Sequence, residues 1–170
     1  FFKPPDERLK EELPANAPFQ IPYYCLIPED VDGLIAAEKS ISVTHIVNGC
    51  TRLQPVVMLV GQAAGAAAAL SVKNNTQLRE VNLFELQSTL IDAGCQLFPY
   101  KDLWNHHQEF SFVQHLALKG VFTDSHDFAF GSKLIVNEEE ASKILSKINS
   151  QINLNELVGL QRVEAYKRVY

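Results

Sequence analysis

The sequence predicts an α+β chain that is mostly helical. Three observations lead there. A long run of small and apolar residues follows Pro55 at helical spacing. The second half carries amphipathic segments with recognisable start and stop residues. The first part holds only short aromatic or β-branched runs set between prolines, which read as strands or loops.

Residues 1–18 contain Pro4, Pro5, Pro14 and Pro18 and read as an irregular entry, with a short helix expected at Asp6 to Leu13. Phe19 to Pro28 is expected to be extended and at an edge, because proline cannot donate to a ladder. Asp32-Gly33 is a turn, Leu34 to Ala37 a short buried strand, and Ser40 to Val47 strand or loop.

Pro55 suits a first helical position, where its missing N–H would be unpaired anyway. The helix it opens is expected to reach about Val72, ended by Asn74-Asn75. Gly61, Gly65 and Ala68 share one face of it. Interior glycines each cost about 1 kcal/mol relative to alanine, and close approach of a backbone or flat ligand is the usual compensation. A tightly packed core helix is the plainer reading of the same residues.

A second helix is expected over Leu83 to Ala93, with Asn82 as N-cap and Gly94 as stop. A third covers Phe110 to Lys119, stopped by Gly120, with Trp104 and Phe110 read as core aromatics. A loop holds Asp124, Ser125, His126 and Asp127. Asn137 then caps a helix from Glu138 to about Ile148, whose first-turn glutamates suit the helix dipole. A last helix is expected over Asn155 to Tyr170. The change of character after Pro99 suggests two units, 1–98 and 99–170.

Composition narrows the function classes. The net charge is −5 and no Lys/Arg-rich run occurs, so nucleic-acid binding is not expected. Val56 to Val72 is interrupted by Gln62 and falls short of the roughly 20 residues a membrane span needs, so no span is expected. Cys25, Cys50 and Cys95 have neither the parity nor the spacing of a disulfide framework, and they read as small buried thiols. One pair would bridge if the parent protein were exported, and the compartment, periplasmic or other, stays open. His106, His107, His115 and His126 cluster in sequence, but their spacing matches no zinc pattern, so no metal is expected. The chain lacks an initial Met and a signal-type leader and is expected to be an excised piece of a longer protein.

The block from Ile21 to Leu70 carries the chemistry. It reads Ile21-Pro22-Tyr23-Tyr24-Cys25-Leu26-Ile27-Pro28, then Leu34-Ile35-Ala36-Ala37, then Ile41-Ser42-Val43-Thr44-His45. Gly49-Cys50-Thr51-Arg52-Leu53-Gln54-Pro55 and Gly61-Gln62-Ala63-Ala64-Gly65 follow. In order and spacing this resembles the C-terminal portion of bacterial FAD-dependent oxidoreductases of the xanthan-lyase-like group. The resemblance implies a piece of a glutathione-reductase-like flavin domain. It implies FAD in the parent and cofactor contacts at Ser42, Gly49, Pro55, Gly61, Gln62, Ala63, Ala64 and Gly65. Arg52 would fix an acidic substrate group or a cofactor oxygen, and His45 would exchange a proton near neutrality. The implied substrate is a small molecule, with carbohydrates the class the family suggests.

Two departures stand out. Many members have Ala-Gly-Arg where this chain has Ala37-Glu38-Lys39, so either the loop is shaped differently or Glu38 bonds a cofactor hydroxyl. No GxGxxG fingerprint occurs anywhere in the chain. The expected partner is therefore an N-terminal Rossmann half of the parent, with this chain inactive and free of FAD on its own. A helix N-terminus beginning near Pro55 fits flavin chemistry independently, since its unpaired N–H groups and positive dipole end would stabilise charge at N1 and the C2 oxygen of a reduced flavin.

The later region resembles, in outline, an S-layer-homology helical module through Leu116-Ala117-Leu118-Lys119-Gly120-Val121, Phe128, Phe130 and Glu138-Glu139-Glu140-Ala141. A plain helical appendage fits equally. The alternative function is then a non-enzymatic glycan- or cell-wall-binding module, and a further one an interdomain scaffold with an exposed apolar face around Val56 to Val60.

Overall fold

The computed structural model describes residues 18–121, 128–148 and 152–170. The helix expected at Asp6 to Leu13 and the loop with His126 lie outside them. Among the described residues the chain is helical: α1 His45–Thr51, α2 Gln54–Asn74, α3 Leu83–Asp92, α4 Phe110–Leu118, α5 Glu138–Lys147 and α6 Arg162–Val169.

The expected α+β composition is not met there, because no strand forms. Phe19 to Pro28 folds around a 3-10 turn at Tyr23–Leu26. Cys25 N–H donates to Pro22 C=O at 3.0 Å, and the Tyr23 hydroxyl donates to Leu78 C=O at 2.7 Å. Leu34 to Ala37 is extended coil. Ala36 N–H reaches Leu26 C=O and Ser42 N–H reaches Cys25 C=O, both at 2.7 Å. Two isolated bonds do not make a ladder, and an apolar run without a neighbouring strand has nothing to pair with. Ser40 to Val47 becomes the end of a 3-10 turn at Glu38–Ser40 and the start of α1.

α2 is the spine of the first half. Pro55 sits in its first turn, and Asn75 closes it in the left-handed region at φ 51°, donating to Ser71 and Val72 carbonyls. Its 21 residues make it longer than the apolar run suggested, long and apolar enough to cross a membrane by length and composition alone. The expectation of a run too short to span therefore fails on length. The argument for a core helix is its packing. Val57, Val60, Ala64, Ala67 and Leu70 are all buried along one side. Val60 and Ala64 pack with Leu26 and Ile41, while Ala67 and Leu70 pack with Val81, Leu86 and Leu90.

α3 begins at Asn82, whose Oδ1 accepts from Phe84 and Glu85 N–H. It ends at Gly94, where φ is +83° and Cys95 N–H returns to Leu90 C=O. Its Ile91 joins Tyr100, Leu103, Phe110, Val113, Ala117 and Phe130 in one buried cluster, so α3 is tied to the later helices. Gln114, fully buried in α4, strengthens that join. Its Oε1 accepts from Leu97 N–H at 2.9 Å and Phe98 N–H at 2.7 Å, and its Nε2 donates to Phe98 C=O at 2.9 Å.

The last part turns on Arg162. Its Nε and Nη2 donate to the two oxygens of Glu140 at 2.6 and 3.0 Å, and Nη1 donates to Phe130 C=O. Tyr166 donates to the same carboxylate at 3.2 Å. Burial first, and then the Glu140 charge, lifts the Tyr166 hydroxyl well above the ordinary phenol range. Asp102 receives Phe130 N–H and Gly131 N–H at 2.6 and 2.8 Å, fixing the chain opposite. The helix expected over Asn155 to Tyr170 is broken into a 3-10 turn at Leu154–Glu156 and α6, with Gly159 at φ +83° between them. Phe110 is buried as expected, but Trp104 is 56% exposed, because its loop turns outward before α4.

Replacing Gln114 with leucine keeps the volume but strands the Leu97 and Phe98 N–H groups, while Phe98 C=O keeps its bond from Tyr100 N–H. At about 1–3 kcal/mol for each buried unpaired group, the expected loss is roughly 3 kcal/mol in denaturant-unfolding stability. His115, against Phe84 and Tyr170, is pushed below the ordinary 6.5 by burial, with Asp92 opposing and Lys119 adding. The folded state thus resists the proton that the unfolded chain takes up. Stability is full above the ordinary value, falls as pH drops through it, and levels off below the lowered value. Unfolding midpoints between about pH 7.5 and about pH 5 should show this loss, and His115→Gln should flatten it.

Candidate functional site

Most of the expected site residues fall on exposed positions of α1 and α2 or just before them, whereas Ala64 is buried and Gly61 and Ala63 are half-buried. Thr44 caps α1 by accepting from Val47 N–H, an assignment the strand-or-loop reading of this stretch had missed. His45 is the first residue of α1 and Arg52 follows its last, with Arg52 N–H bonded to Asn48 C=O. Both are exposed. They lie seven positions apart, about 10 Å along the axis, on one face two turns apart. They are not brought to one point, and no described contact joins them.

Arg52-Leu53 leads directly into α2. Leu53 is the N-cap and offers no side-chain acceptor, so the first-turn N–H groups of α2 keep no side-chain partner. Pro55, Met58, Leu59, Gln62, Gly65 and Ala69 are exposed along the side opposite the buried stripe. Gly61, Ala63 and Ala68 lie at its flanks, half-buried, and Ala64 is buried in the cluster with Leu26 and Ile41. A Cβ built on Gly49, Gly61 or Gly65 would meet nothing within 4 Å outside its own helix backbone. These three glycines therefore serve no close approach within the described chain.

The face is also apolar. Met58 is 74% exposed, and Ile46, Leu53 and Leu59 are exposed beside it.

A shallow cleft of about 270 Å³ opens next to α1, lined among others by Phe19, Cys25, Ser42, Thr44, Val47 and Thr51. It falls just below the roughly 300–1,000 Å³ of ligand sites, so it does not enclose a dinucleotide. Ser42 is the expected residue found in it. Thr51, buried, donates to Val47 C=O at 3.3 Å. The lining by Phe19 and Cys25 was not legible in sequence, since it depends on the 3-10 turn folding back on α1.

The turn before Ser42 holds the main departure from the expected pattern. Glu38 has φ of 57°. The backbone thus takes the conformation for which glycine is the default, although the residue there is glutamate. Elsewhere, among the described residues, no group of three or more His, Cys, Asp or Glu is placed to hold a metal. His106 and His107 stack at 4.7 Å, and the three cysteines are free and partly buried.

Comparison with known proteins decides what this surface belongs to. Residues 3–90, more than half of the chain, match the model of the FAD dependent oxidoreductase family. The chain belongs to that family. No curated protein and no solved structure matches. The family's cofactor is FAD, so the chain is that of a flavoprotein. The residues present fit such a group in two respects. They offer uncapped N–H donors at the start of α2, and small side chains with open space before them.

One consequence concerns the chain alone. Gly65→Ala should stabilise it by about 1 kcal/mol, because helix propensity improves and the new methyl meets no neighbour. Thermal or denaturant unfolding checks this. A loss of stability would show that Gly65 is held against something inside the chain.

Proposed function

We propose that this chain is the C-terminal segment of a xanthan-lyase-like FAD-dependent oxidoreductase. On this reading the open face of α2 closes the flavin site against a nucleotide-binding half carried elsewhere in the protein. The observation that carries it is the exposed stripe of small and apolar residues behind an uncapped helix start, in a chain without a GxGxxG fingerprint. The flavin domain so completed would be glutathione-reductase-like, with 1–98 belonging to it and 99–170 forming a small helical module.

The residues take these roles. The first-turn N–H groups of α2, after Pro55, would stabilise negative charge on the bound ring. Ser42 and Gly49 border it from the α1 side, and Gly61, Gln62 and Gly65 line it along α2. Ala63 and Ala64 let the helix sit close to the segments behind it. Flavin, when bound, accepts a hydride from a substrate carbon. Arg52, at the α1–α2 junction, would fix an acidic substrate group, and His45 would take or give the accompanying proton. The substrate is a small molecule, and a carbohydrate is the class proposed. The chain by itself lacks half of the cofactor's contacts and is inactive.

Visible absorbance tests this directly. The full-length protein should purify yellow, and this chain should be colourless. A colourless full-length protein that also fails to take up added FAD would sink the reading. In the yellow protein, Arg52→Ala should cost about tenfold or more in kcat/KM. His45→Ala should cost about a hundredfold in kcat/KM. Gly65→Leu should lower flavin content without unfolding the protein.

A second reading treats 99–170 as a glycan- or cell-wall-binding module of S-layer-homology type. It is favoured by Trp104, exposed beside the stacked His106 and His107. Pull-down on insoluble cell-wall glycan, repeated with Trp104→Ala, decides it. Retention that Trp104→Ala leaves unchanged counts against it.

A further inference from the structure

Residues 134–137 run antiparallel to residues 160–162, at the entry to α6. Ile135 forms an isolated bridge with Gln161. The bonds come from its neighbours. Arg162 N–H donates to Leu134 C=O at 2.6 Å, and Val136 N–H donates to Leu160 C=O at 2.9 Å. Alternation turns the N–H and C=O of Ile135 to the other side. There they meet no partner among the described residues. Val136 is buried, while Leu134 and Ile135 are 54% and 59% exposed. An open edge that carries large apolar side chains is a template for pairing with another chain.

The edge is fixed before any partner arrives. Arg162 is held by both oxygens of Glu140 and donates to Phe130 C=O. Gly159 N–H closes on Val136 C=O at 3.0 Å. A preformed edge loses little freedom on pairing. The charges around it decide the occupant. Glu139 is paired with Lys143, and Glu140 with Arg162. Lys133 and Glu138, on either side of Ile135, are exposed and have no ion-pair partner among the described residues. A lysine ordinarily protects an edge from pairing. Here the opposite charge stands at the other end of the same segment. Two copies running antiparallel through Ile135 set each Lys133 near the Glu138 of the other, whereas a parallel pair sets like against like.

We propose that this edge is a self-association surface, on which residues 134–137 of two copies of the chain pair antiparallel about a two-fold axis at Ile135. Each Ile135 N–H donates to the C=O of the other Ile135, and the two isoleucine side chains meet on one face. The same patch serves both copies, as a closed two-fold requires. The contact is small, so the dimer is a weak one.

Sedimentation equilibrium of the full-length protein, run from about 10 μM to about 1 mM, suits a contact of this size. Far-UV circular dichroism checks that each variant folds. The wild-type mass should rise with concentration toward twice its dilute value. Ile135→Lys sets two like charges face to face and should hold the dilute mass throughout. Lys133→Glu and Glu138→Lys should each weaken association about fivefold. An equimolar mixture of those two variants should recover it, because each then finds the opposite charge in the other. A merely sticky apolar patch would show no such recovery. A mass that stays constant with concentration, association that Ile135→Lys leaves unchanged, or a mixture no tighter than its components each overturns the proposal. The two charge variants change exposed side chains, so their mixture decides the matter even where Ile135→Lys fails to fold.

Discussion

Val57, Val60, Ala64, Ala67 and Leu70 recur along one side of α2, and the segments of the first half seat themselves on that stripe. Alanine at 64 and 67 brings neighbouring backbones close. The 3-10 turn at Tyr23–Leu26, the Glu38 turn and α3 all settle there. With one side of the helix committed to the core, the opposite side necessarily carries Met58, Gln62, Gly65 and Ala69 outward. The helix therefore has two sides. One builds the core, and the other stays open among the described residues.

That division explains how a mostly helical segment belongs to a flavoenzyme family. Extended pieces such as Leu34 to Ala37 have the residues of buried strands but no partner strand among the described residues, so their backbone polar groups find isolated bonds instead. Helices satisfy their own backbone, so they form regardless of context. A sheet depends on neighbours, and the composition of the segment alone does not supply them.

The second half is held by different means. Gln114, Asp102 and the Arg162–Glu140 pair each reach across the chain to bind backbone groups far away in sequence. Such contacts fix loops that carry little regular structure of their own. They also couple α3 to α4 and leave Trp104 outside the core.

Helix starts and stops were written in local sequence. Pro55, Asn82, Gly94 and Asn137 act within a turn of themselves, and the structure places helix ends where they stand. The family was legible too, because an ordered set of short elements from Ile21 to Leu70 survives without any long-range information. Tertiary structure alone decided the rest. It turned the expected strands into turns and split the last helix at Gly159, because pairing and packing depend on distant partners. It also showed which side of the Gly/Ala helix is open, a choice set by where the neighbouring segments fall rather than by spacing. The left-handed backbone at Glu38 was hidden for the same reason, since a glutamate gives no local sign that the turn around it demands the conformation of a glycine.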